Sequence, residues 1–518
     1  MEQKKNLYLP KDFHVGRASE LKGRDRILYR FFEILPGVLS WGTLIGVVLL
    51  SFFAPEVAAY LIIGFSLFWL LKTIYLSVHV RYNWRRLQYN ISKDWVEEVK
   101  NIKHDHLWHL ILLPYYNEGL ETVKNTIKKL SEVKGDKKKM IIVLAPEEKG
   151  GKNSLEIAEI VIGEFKDTFG EALISVHPKD VLGEMAGKGS NIAYAAEFAR
   201  KKVIDPKKIQ YEDIIVSAFD IDTIVYPDYF QCLSWHFLSV EDPHHASFQP
   251  VPLYNNNIWD APSFSRVAAT SGTFWQMIQQ ERPEKLATFS SHAVSFRALY
   301  EVNYWQRNMV SEDSRIFWNL LFANNGNYRV VPISYPVSMD ANFASNSWKT
   351  FKNIYKQNRR WTYGVENVPY IFYHSIKNKT FPVWKKIKFC WVQIEGFWSL
   401  TTNPLVLFSL GWLPLLVGGR EFSTTILSYN LPIVARTFLT LAMFGLIVSA
   451  IISTSLLPPK PKKYPRTRYI SMVVQWVLVP VTMIVFSAIP GLDAQTRLMF
   501  GKYMGFWVTP KYVAGNKK

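Results

Sequence analysis

Two apolar runs parted by only three residues constrain this chain more than anything else in it. Residues 34–53 and 57–78 are long and nearly free of charge, and Ala54-Pro55-Glu56 is all that divides them. Each is long enough for a helix to cross the hydrocarbon of a bilayer, which takes about 20 residues. Three further runs, 397–417, 434–456 and 469–489, follow only after a long polar region. Buried helices of a water-soluble core are the alternative, and runs this long fit it poorly. With 48% apolar residues spread so unevenly, one globular domain is excluded. Glu395 precedes the first of the later runs and Pro404 interrupts it, so it is expected to begin as an interfacial helix and kink.

Basic residues near the runs set the expected orientation. Lys22, Arg24, Arg26 and Arg30 precede the first run, and Arg81, Arg85 and Arg86 follow the second. Both flanks, and the polar region from 80 to 388, are expected in the cytoplasm. Lys460, Lys462, Lys463, Arg466 and Arg468 place the loop before the last run on the same side. Three later spans would leave the tail beyond Pro490 outside, yet it carries Arg497, Lys502 and Lys511. That is a conflict: either the tail lies in the interface or one segment does not span. The first run lacks a signal peptide's short core and cleavage site, so it is expected to be retained.

The formal net charge of +18 matches positive-inside loops beside an anionic leaflet. No zinc finger, RNA-recognition signature or basic heptad region supports nucleic acid as a partner. Cys232 and Cys390 fall where thiols stay reduced, and no CxxC spacing occurs.

Within the polar region β-rich runs alternate with helical patterns. Strands are expected at 107–113, 140–145, 172–177 and 214–219, with helices over 120–133, 154–169 and 191–202. That alternation describes a parallel sheet covered on both faces, with ligands bound beyond the carboxyl ends of the strands. Asn117 and Glu118, Glu147 and Glu148, and Asp220 and Asp222 fall at those ends. Neither GxGxxG nor GxxxxGK[ST] is present, which disfavours a dinucleotide fold or a P-loop.

Asp220-Ile221-Asp222 is the strongest local chemical signal. One carboxylate can meet a ribose while the other reaches Mg2+ or Mn2+, hard ions that bridge to substrate phosphates. A loop or capping pair is the plainer reading. Glu312 and Asp313 follow Ser311 at a helix start, where a carboxylate can take a proton from an incoming hydroxyl. A helix N-cap at Ser311 explains the same pattern. Lys188, in Gly187-Lys188-Gly189-Ser190-Asn191, joins a cation to glycines that let backbone approach phosphates; a plain loop before a helix serves equally. Gln357-Asn358-Arg359-Arg360-Trp361 ends the polar region and could hold a diphosphate and an apolar sugar face together. The plainer reading is an Arg-Trp anchor at the headgroups.

Together and in this order, Pro114-Tyr115-Tyr116-Asn117-Glu118, Lys188 to Asn191, Asp220-Ile221-Asp222, Ser311-Glu312-Asp313 and Gln357 to Trp361 resemble a membrane-integrated family 2 glycosyltransferase. The relatives in view are the cellulose synthase catalytic subunit, hyaluronan synthase and chitin synthase. The resemblance covers roughly residues 105 to 365 and the two-before, several-after arrangement of spans. It implies an α/β GT-A-type domain, with a mixed and mostly parallel sheet, inserted between bundles of transmembrane helices. It also implies an inverting single displacement. The domain plan it suggests is a basic segment (1–33), two membrane helices (34–78), a linker (79–104) and a cytoplasmic GT-A domain (105–345). Interfacial helices (346–388), about three membrane helices (389–490) and a basic tail (491–518) complete it.

Carried over residue by residue, Glu118 would meet the nucleotide base or ribose, Asp220 the nucleoside, and Asp222 the Mg2+ or Mn2+ ion at the diphosphate. Lys188 would lie near the donor, and Asp313 would be the general base. Gln357 and Arg360 would face the diphosphate, and Trp361 would stack under the acceptor sugar. The family usually carries an acidic pair after its second strand; this chain has Ala145-Pro146-Glu147-Glu148, so Glu147 or Glu148 would take that place with a longer arm. No PilZ-like domain is expected after the last span. The expected partners are a UDP-sugar, or a GDP-sugar in its stead, a glycan or lipid-linked acceptor, and a bacterial inner or plasma membrane. A processive polysaccharide synthase that translocates its product is the leading expectation. A non-processive transferase acting on a polyprenyl-phosphate-type lipid is the alternative, and a non-catalytic subunit of an export complex comes after it.

Overall fold

The computed structural model describes residues 7–510. Residues 1–6 and 511–518, with Lys511 of the expected tail, lie outside that range. Gly23–Phe53 (α1) and Pro55–Ser92 (α2) are two long helices meeting at Ala54. Pro55 opens α2 in its first turn, where a missing backbone donor costs nothing. Phe52, Phe53, Leu61, Phe68 and Leu71 are exposed. An exposed apolar surface of this kind is consistent with a helix long and apolar enough to cross a membrane. α2 does not stop with the apolar run. It continues as one rod of 38 residues, about 57 Å at the helical rise. The stretch expected as a linker is therefore helix as far as Ser92, and it is fastened to the polar domain. Asn90 Nδ2 donates to Ile333 O and Ser334 O at 3.2 and 3.1 Å, and Asn83 Nδ2 to Glu281 Oε1 at 3.0 Å.

The polar domain is built on eight strands: Trp108–Tyr115 (β1), Met140–Pro146 (β2), Glu171–Ile174 (β3), Ile214–Ala218 (β4), Ile224–Val225 (β5), Ala246–Leu253 (β6), Ala293–Ser295 (β7) and Arg329–Ser338 (β8). They lie in the order β3-β2-β1-β4-β7-β6-β8-β5. The β1–β2, β2–β3, β1–β4 and β6–β8 pairs are parallel, and β7 and β5 enter antiparallel. The sheet is thus mixed and mostly parallel, as expected. Its two faces follow the twofold alternation of strand side chains. Leu110, Leu112, Ile141 and Val143 join one core with Ile192 and Ala196 of Lys188–Ala199 (α5). Ile111, Leu113, Ile142 and Leu144 join the other, against Leu120–Ser131 (α3) and Lys152–Phe165 (α4). Central strands buried on both faces read as unbroken apolar runs, which is how β1 and β2 read.

Four more helices matter to the site and its surroundings: Ser263–Gln280 (α6), Glu312–Ala323 (α7), Ser347–Thr362 (α8) and Asn367–Lys377 (α9). The chain then enters its second apolar block. Val383–Phe408 (α10) is followed, after a 45° bend, by Leu410–Val417. The bend follows the turn that holds Pro404, close to the kink expected there. At the end of the bundle away from the sheet, Phe422 and Leu431 pack with Ala59 and Ile62 of α2. Ile426–Ser455 (α11) returns from there to the domain, where Asn255 Nδ2 donates to Leu456 O at 3.1 Å and Trp259 Nε1 to Pro458 O at 3.0 Å.

By length and composition Arg468–Met499 (α12) could also cross a membrane. Its contacts keep it beside the domain at both ends. Near its start the buried Arg266 of α6 donates to Gln475 Oε1 at 2.6 Å and Ser471 Oγ at 3.0 Å. Near its end Arg359 of α8 donates to Asp493 Oδ2 at 2.9 Å, and Arg30 to Leu498 O at 2.9 Å. The following chain stays there, with Tyr503 OH donating to the Glu33 carboxylate at 2.9 Å. Residues 493–503 are therefore packed against α1 and α8 rather than apart from the domain.

In sealed vesicles of protein lacking Cys232 and Cys390, cysteines at Lys152 and Lys502 are expected to react with an impermeant maleimide from one side. A cysteine at Glu421 is expected to react only from the other. Labelling of the Lys502→Cys variant from the Glu421 side contradicts this placement of α12.

Candidate active site

Strand ends and helix starts converge on one cavity of about 180 Å³. The turn after β1 gives Glu118, the end of β2 gives Glu147, and the turn after β4 gives Asp220 and Asp222. The first turns of α5 and α7 give Lys188, Glu312 and Asp313, and α8 gives Gln357, Arg360 and Trp361. Glu118, Glu147, Lys188, Asp220, Asp222, Glu312, Asp313, Gln357, Arg360 and Trp361, all singled out in the sequence, line this cavity, whereas Asn117 and Glu148 do not. The Glu148 side chain turns away on a short 3-10 turn and accepts from Lys179 N at 2.9 Å. Gln357, Arg360 and Trp361 reach the cavity together because residues three and four apart share one helix face. Arg359 faces α12 instead.

Lys188 is the electrostatic centre. Its Nζ lies 2.7 Å from Asp220 Oδ1 and 3.0 Å from Asp313 Oδ2. Burial alone would favour the neutral amine, but Asp220, Asp313 and Glu312 outweigh it and hold the ammonium well above its ordinary range. The two glycines beside it permit close neighbours. A Cβ at Gly187 would meet the Phe506 ring at 2.6 Å, and one at Gly189 would stand 2.9 Å from Glu312 Cβ.

Asp313 is held asymmetrically. Oδ2 faces Lys188, whereas Oδ1 has no hydrogen-bond partner among the described residues. On the Oδ1 side stands His292, with Nδ1 at 3.7 Å. His292 Nδ1 donates to Phe289 O at 2.8 Å, while its Nε2 accepts from the Trp305 indole at 3.1 Å. Burial pulls its pKa down, which favours the neutral ring beside Oδ1.

Ser311 occupies the N-cap position of α7, but its side chain caps nothing. The amides of Val310 and Ser311 donate instead to Glu366 Oε1 at 3.0 and 2.9 Å. Asp222 is buried; its Oδ2 accepts from Asp340 N at 3.3 Å, and its carbonyl from Asn256 Nδ2 at 3.0 Å. Glu118 accepts from the amides of Tyr116 and Asn117 at 2.8 and 3.1 Å. Burial, and next the Glu118 charge, push Glu147 up. Trp361 sits between two rings, 5.9 Å from Tyr254 and 6.2 Å from Phe289.

Several of these residues carried no signal in the sequence. Tyr254, Phe289, Ser290 and Asp340 line the cavity from loops. The tail does so too, through Phe506, Val508 and Thr509, with the Arg360 guanidinium 4.6 Å above the Phe506 ring. Its aromatic residues, Tyr503, Phe506 and Trp507, were the available hint that it packs rather than trails in solvent.

The donor set suits a hard divalent ion that a ligand helps to hold. Asp222 and Asp220 present carboxylates to the cavity, and among the described residues no group of three or more His, Cys, Asp or Glu could hold an ion alone. An ion at Asp222 would therefore need oxygens from a bound phosphate, the usual habit of Mg2+.

Residues 215–457, just under half of the chain, match the family model described as Glycosyl transferase family group 2. The likeness is to glycosyltransferases. It takes in Asp220 and Asp222, Asp313 and the Gln357–Trp361 stretch, and it begins only after β1–β3 and Lys188. Over those residues the domain resembles a glycosyltransferase domain, and apolar helices flank it. No curated protein matches the chain. Among solved structures, the mannosyltransferase PcManGT from Pyrobaculum calidifontis, in complex with GDP-Man and Mn2+, aligns over 76% of this chain and 98% of its own, with 12% identity and a TM-score of 0.41. Residues 1–349 of S. aureus TarS, with UDP-GlcNAc, align over 67% of this chain and 91% of theirs, with 9% identity and a TM-score of 0.35.

Glu312 supplies a pH test of this geometry. It is fully buried beside Asp313, and burial followed by the Asp313 charge pushes its carboxyl up to about 8. A carboxyl raised on folding contributes stability that is full below pH 4.5, the unfolded value, and lost as pH rises through about 8. Glu312→Gln fixes the neutral state. Its melting temperature is expected to match wild type below pH 4.5 and to exceed it above pH 8. Equal melting at both ends of that window contradicts a buried neutral acid.

Proposed function

We propose that the protein is a membrane-integrated, inverting glycosyltransferase that moves a sugar from a nucleotide-sugar donor to an acceptor hydroxyl. The observation that carries this reading is the single ammonium of Lys188 between Asp220 and Asp313. It puts a nucleotide-side carboxylate and a base-side carboxylate within one side chain's reach, so donor and acceptor would meet in one cavity.

In this reading Glu118, Glu147 and Asp220 bind the nucleoside, and Gln357, Arg360 and Lys188 face the diphosphate. Asp222 would hold Mg2+ or Mn2+, which supplies charge neutralisation at the diphosphate when bound. Trp361, flanked by Tyr254 and Phe289, supports the acceptor sugar. The acceptor oxygen attacks the anomeric carbon as the bond from that carbon to the diphosphate oxygen breaks. The nucleoside diphosphate leaves with the bonding pair, and the hydroxyl proton passes to Asp313 Oδ1. Arg360 and Lys188 stabilise the charge that develops on the leaving group.

Processive synthesis of a polysaccharide on the cytoplasmic face, in the manner of the cellulose, hyaluronan and chitin synthases, is the leading form of this proposal. The non-processive alternative with a lipid-linked acceptor stands beside it, and one observation bears on translocation. The cavity is walled by the sheet domain, α8 and the tail, and no lining residue comes from α1, α2, α10 or α11.

Purified protein given radiolabelled UDP- or GDP-sugars is expected to form a high-molecular-mass product. A product extended by one sugar on a lipid supports the alternative, and turnover of no nucleotide sugar removes the transferase reading. Asp313→Asn is expected to lower transfer by about 10²–10⁴, the span of general-base catalysis, with nucleotide binding retained. EDTA is expected to stop transfer and Mn2+ or Mg2+ to restore it, whereas metal-independent turnover would take Asp222 out of the metal role.

A further inference from the structure

Five residues beyond Trp361 the chain places a buried carboxylate whose partners all belong to the turn that carries Asp313. Glu366 is 4% exposed and lies on the 3-10 turn Tyr363–Glu366, which follows α8 without a break. Its Oε1 accepts three hydrogen bonds: Val310 N at 3.0 Å, Ser311 N at 2.9 Å and Ser311 Oγ at 2.8 Å. Asn367 continues the clasp, donating to Ser314 Oγ at 2.9 Å and accepting from Arg315 Nε at 2.6 Å. Arg315, fully buried two residues after Asp313, closes it by donating to Glu366 O at 3.1 Å and Val15 O at 3.2 Å. One side of the α7 start is thus tied to the helix that bears Gln357, Arg360 and Trp361.

A helix start leaves backbone amides without intrahelical partners, and a side chain of the cap residue commonly serves them. Here the Ser311 hydroxyl points to Glu366 instead of serving an amide, so the turn's geometry is set from a distant segment. Charge-assisted bonds to a carboxylate are the strong kind, and three on one oxygen leave the turn little freedom. We propose that Glu366 is a positioning residue: it holds the Val310–Asp313 turn so that the base sits correctly over the acceptor, and it makes that placement depend on α8.

This rests on the transferase reading, in which Asp313 is the base, but the clasp itself can be tested apart from it. Wild type, Glu366→Gln, Glu366→Ala and Asp313→Asn are compared for kcat, donor KM, nucleotide binding by calorimetry, and amide exchange across 310–316. Misplacing a catalytic group by about 1 Å can cost on the order of 10²-fold. Glu366→Ala is accordingly expected to lower kcat by about 10–100-fold with donor KM and nucleotide binding unchanged, to speed exchange in 310–316, and to be partly rescued by Gln. If the alanine variant does not fold, Glu366→Gln and Ser311→Ala are read the same way, each expected to fall between wild type and Asp313→Asn. Unchanged exchange in 310–316 overturns the clasp even in a protein with no transferase activity. Wild-type kcat, or a loss of nucleotide binding in step with kcat, overturns the positioning role while leaving the transferase reading intact.

Discussion

An ammonium buried between two carboxylates is stable only while all three keep their places. Lys188 is 8% exposed, and its two contacts, at 2.7 and 3.0 Å, come from different segments of the chain. Removing one partner from a fully buried pair costs about 3–5 kcal/mol, because the other charge is left unsatisfied. Asp220, 35% exposed, lies below that range, since water screens what Lys188 would no longer neutralise. Even so, the three charges require the end of β4, the first turn of α5 and the first turn of α7 to meet. Gly189 lets the two helix starts close to contact, and the Glu366 bonds fix the angle at which α7 arrives. The cavity's shape follows from satisfying these groups.

The same demand explains why the apolar helices cannot be separated from the site. α2 is pinned to β8 by Asn90, and β8 runs straight into Asp340, whose amide meets the Asp222 carboxylate. α1 reaches the cavity by another route. Its Glu33 accepts from Tyr503, and the tail then lays Phe506 under Arg360. α2 is one unbroken helix from Pro55 to Ser92, so its apolar part and its contact with the sheet belong to one continuous element.

How much of this could be read from the sequence depended on how local the cause was. β1, β2 and β4 were legible because strands buried on both faces are continuous apolar runs. β6 was not, since Pro250 and Pro252 remove ladder donors and make the stretch read as a loop, and β5 and β7 are only two and three residues long. In the cavity, Lys188, Asp220, Asp222 and Asp313 were legible through the order and spacing of the motifs that carry them, since each alone reads as a loop or a helix cap. Tyr254, Phe289 and Glu366 had no such mark; tertiary approach alone brings them in. Glu148 shows the converse failure, as adjacency to Glu147 suggested a shared place that the 3-10 turn denies it. In the tail, the charges Arg497 and Lys502 drew attention to membrane sidedness, while the aromatic residues that pack it against the domain carried the structural information.

Gln357-Asn358-Arg359-Arg360-Trp361 shows why an anchoring reading and a chemical reading need not compete. Successive helical residues point about 100° apart, so the two arginines cannot share a partner. Arg359 is spent on Asp493 of α12, which Tyr355 also contacts, and this holds α8 against the apolar segment. Arg360, one step on, faces the cavity over the Phe506 ring, between Gln357 and Trp361 on the same helix face. Anchor and cavity wall are therefore built from one helix, and the ion pair is one of the contacts that fix its rotation, beside the packing of Phe351 on Phe486. A charge-reversing or neutral residue at Asp493 would act on the cavity without touching it, by freeing α8 to turn. Because Glu366 follows on the same rigid stretch, that turn would move the start of α7 together with Arg360 and Trp361, so the proposed base and the proposed acceptor platform would shift as a unit.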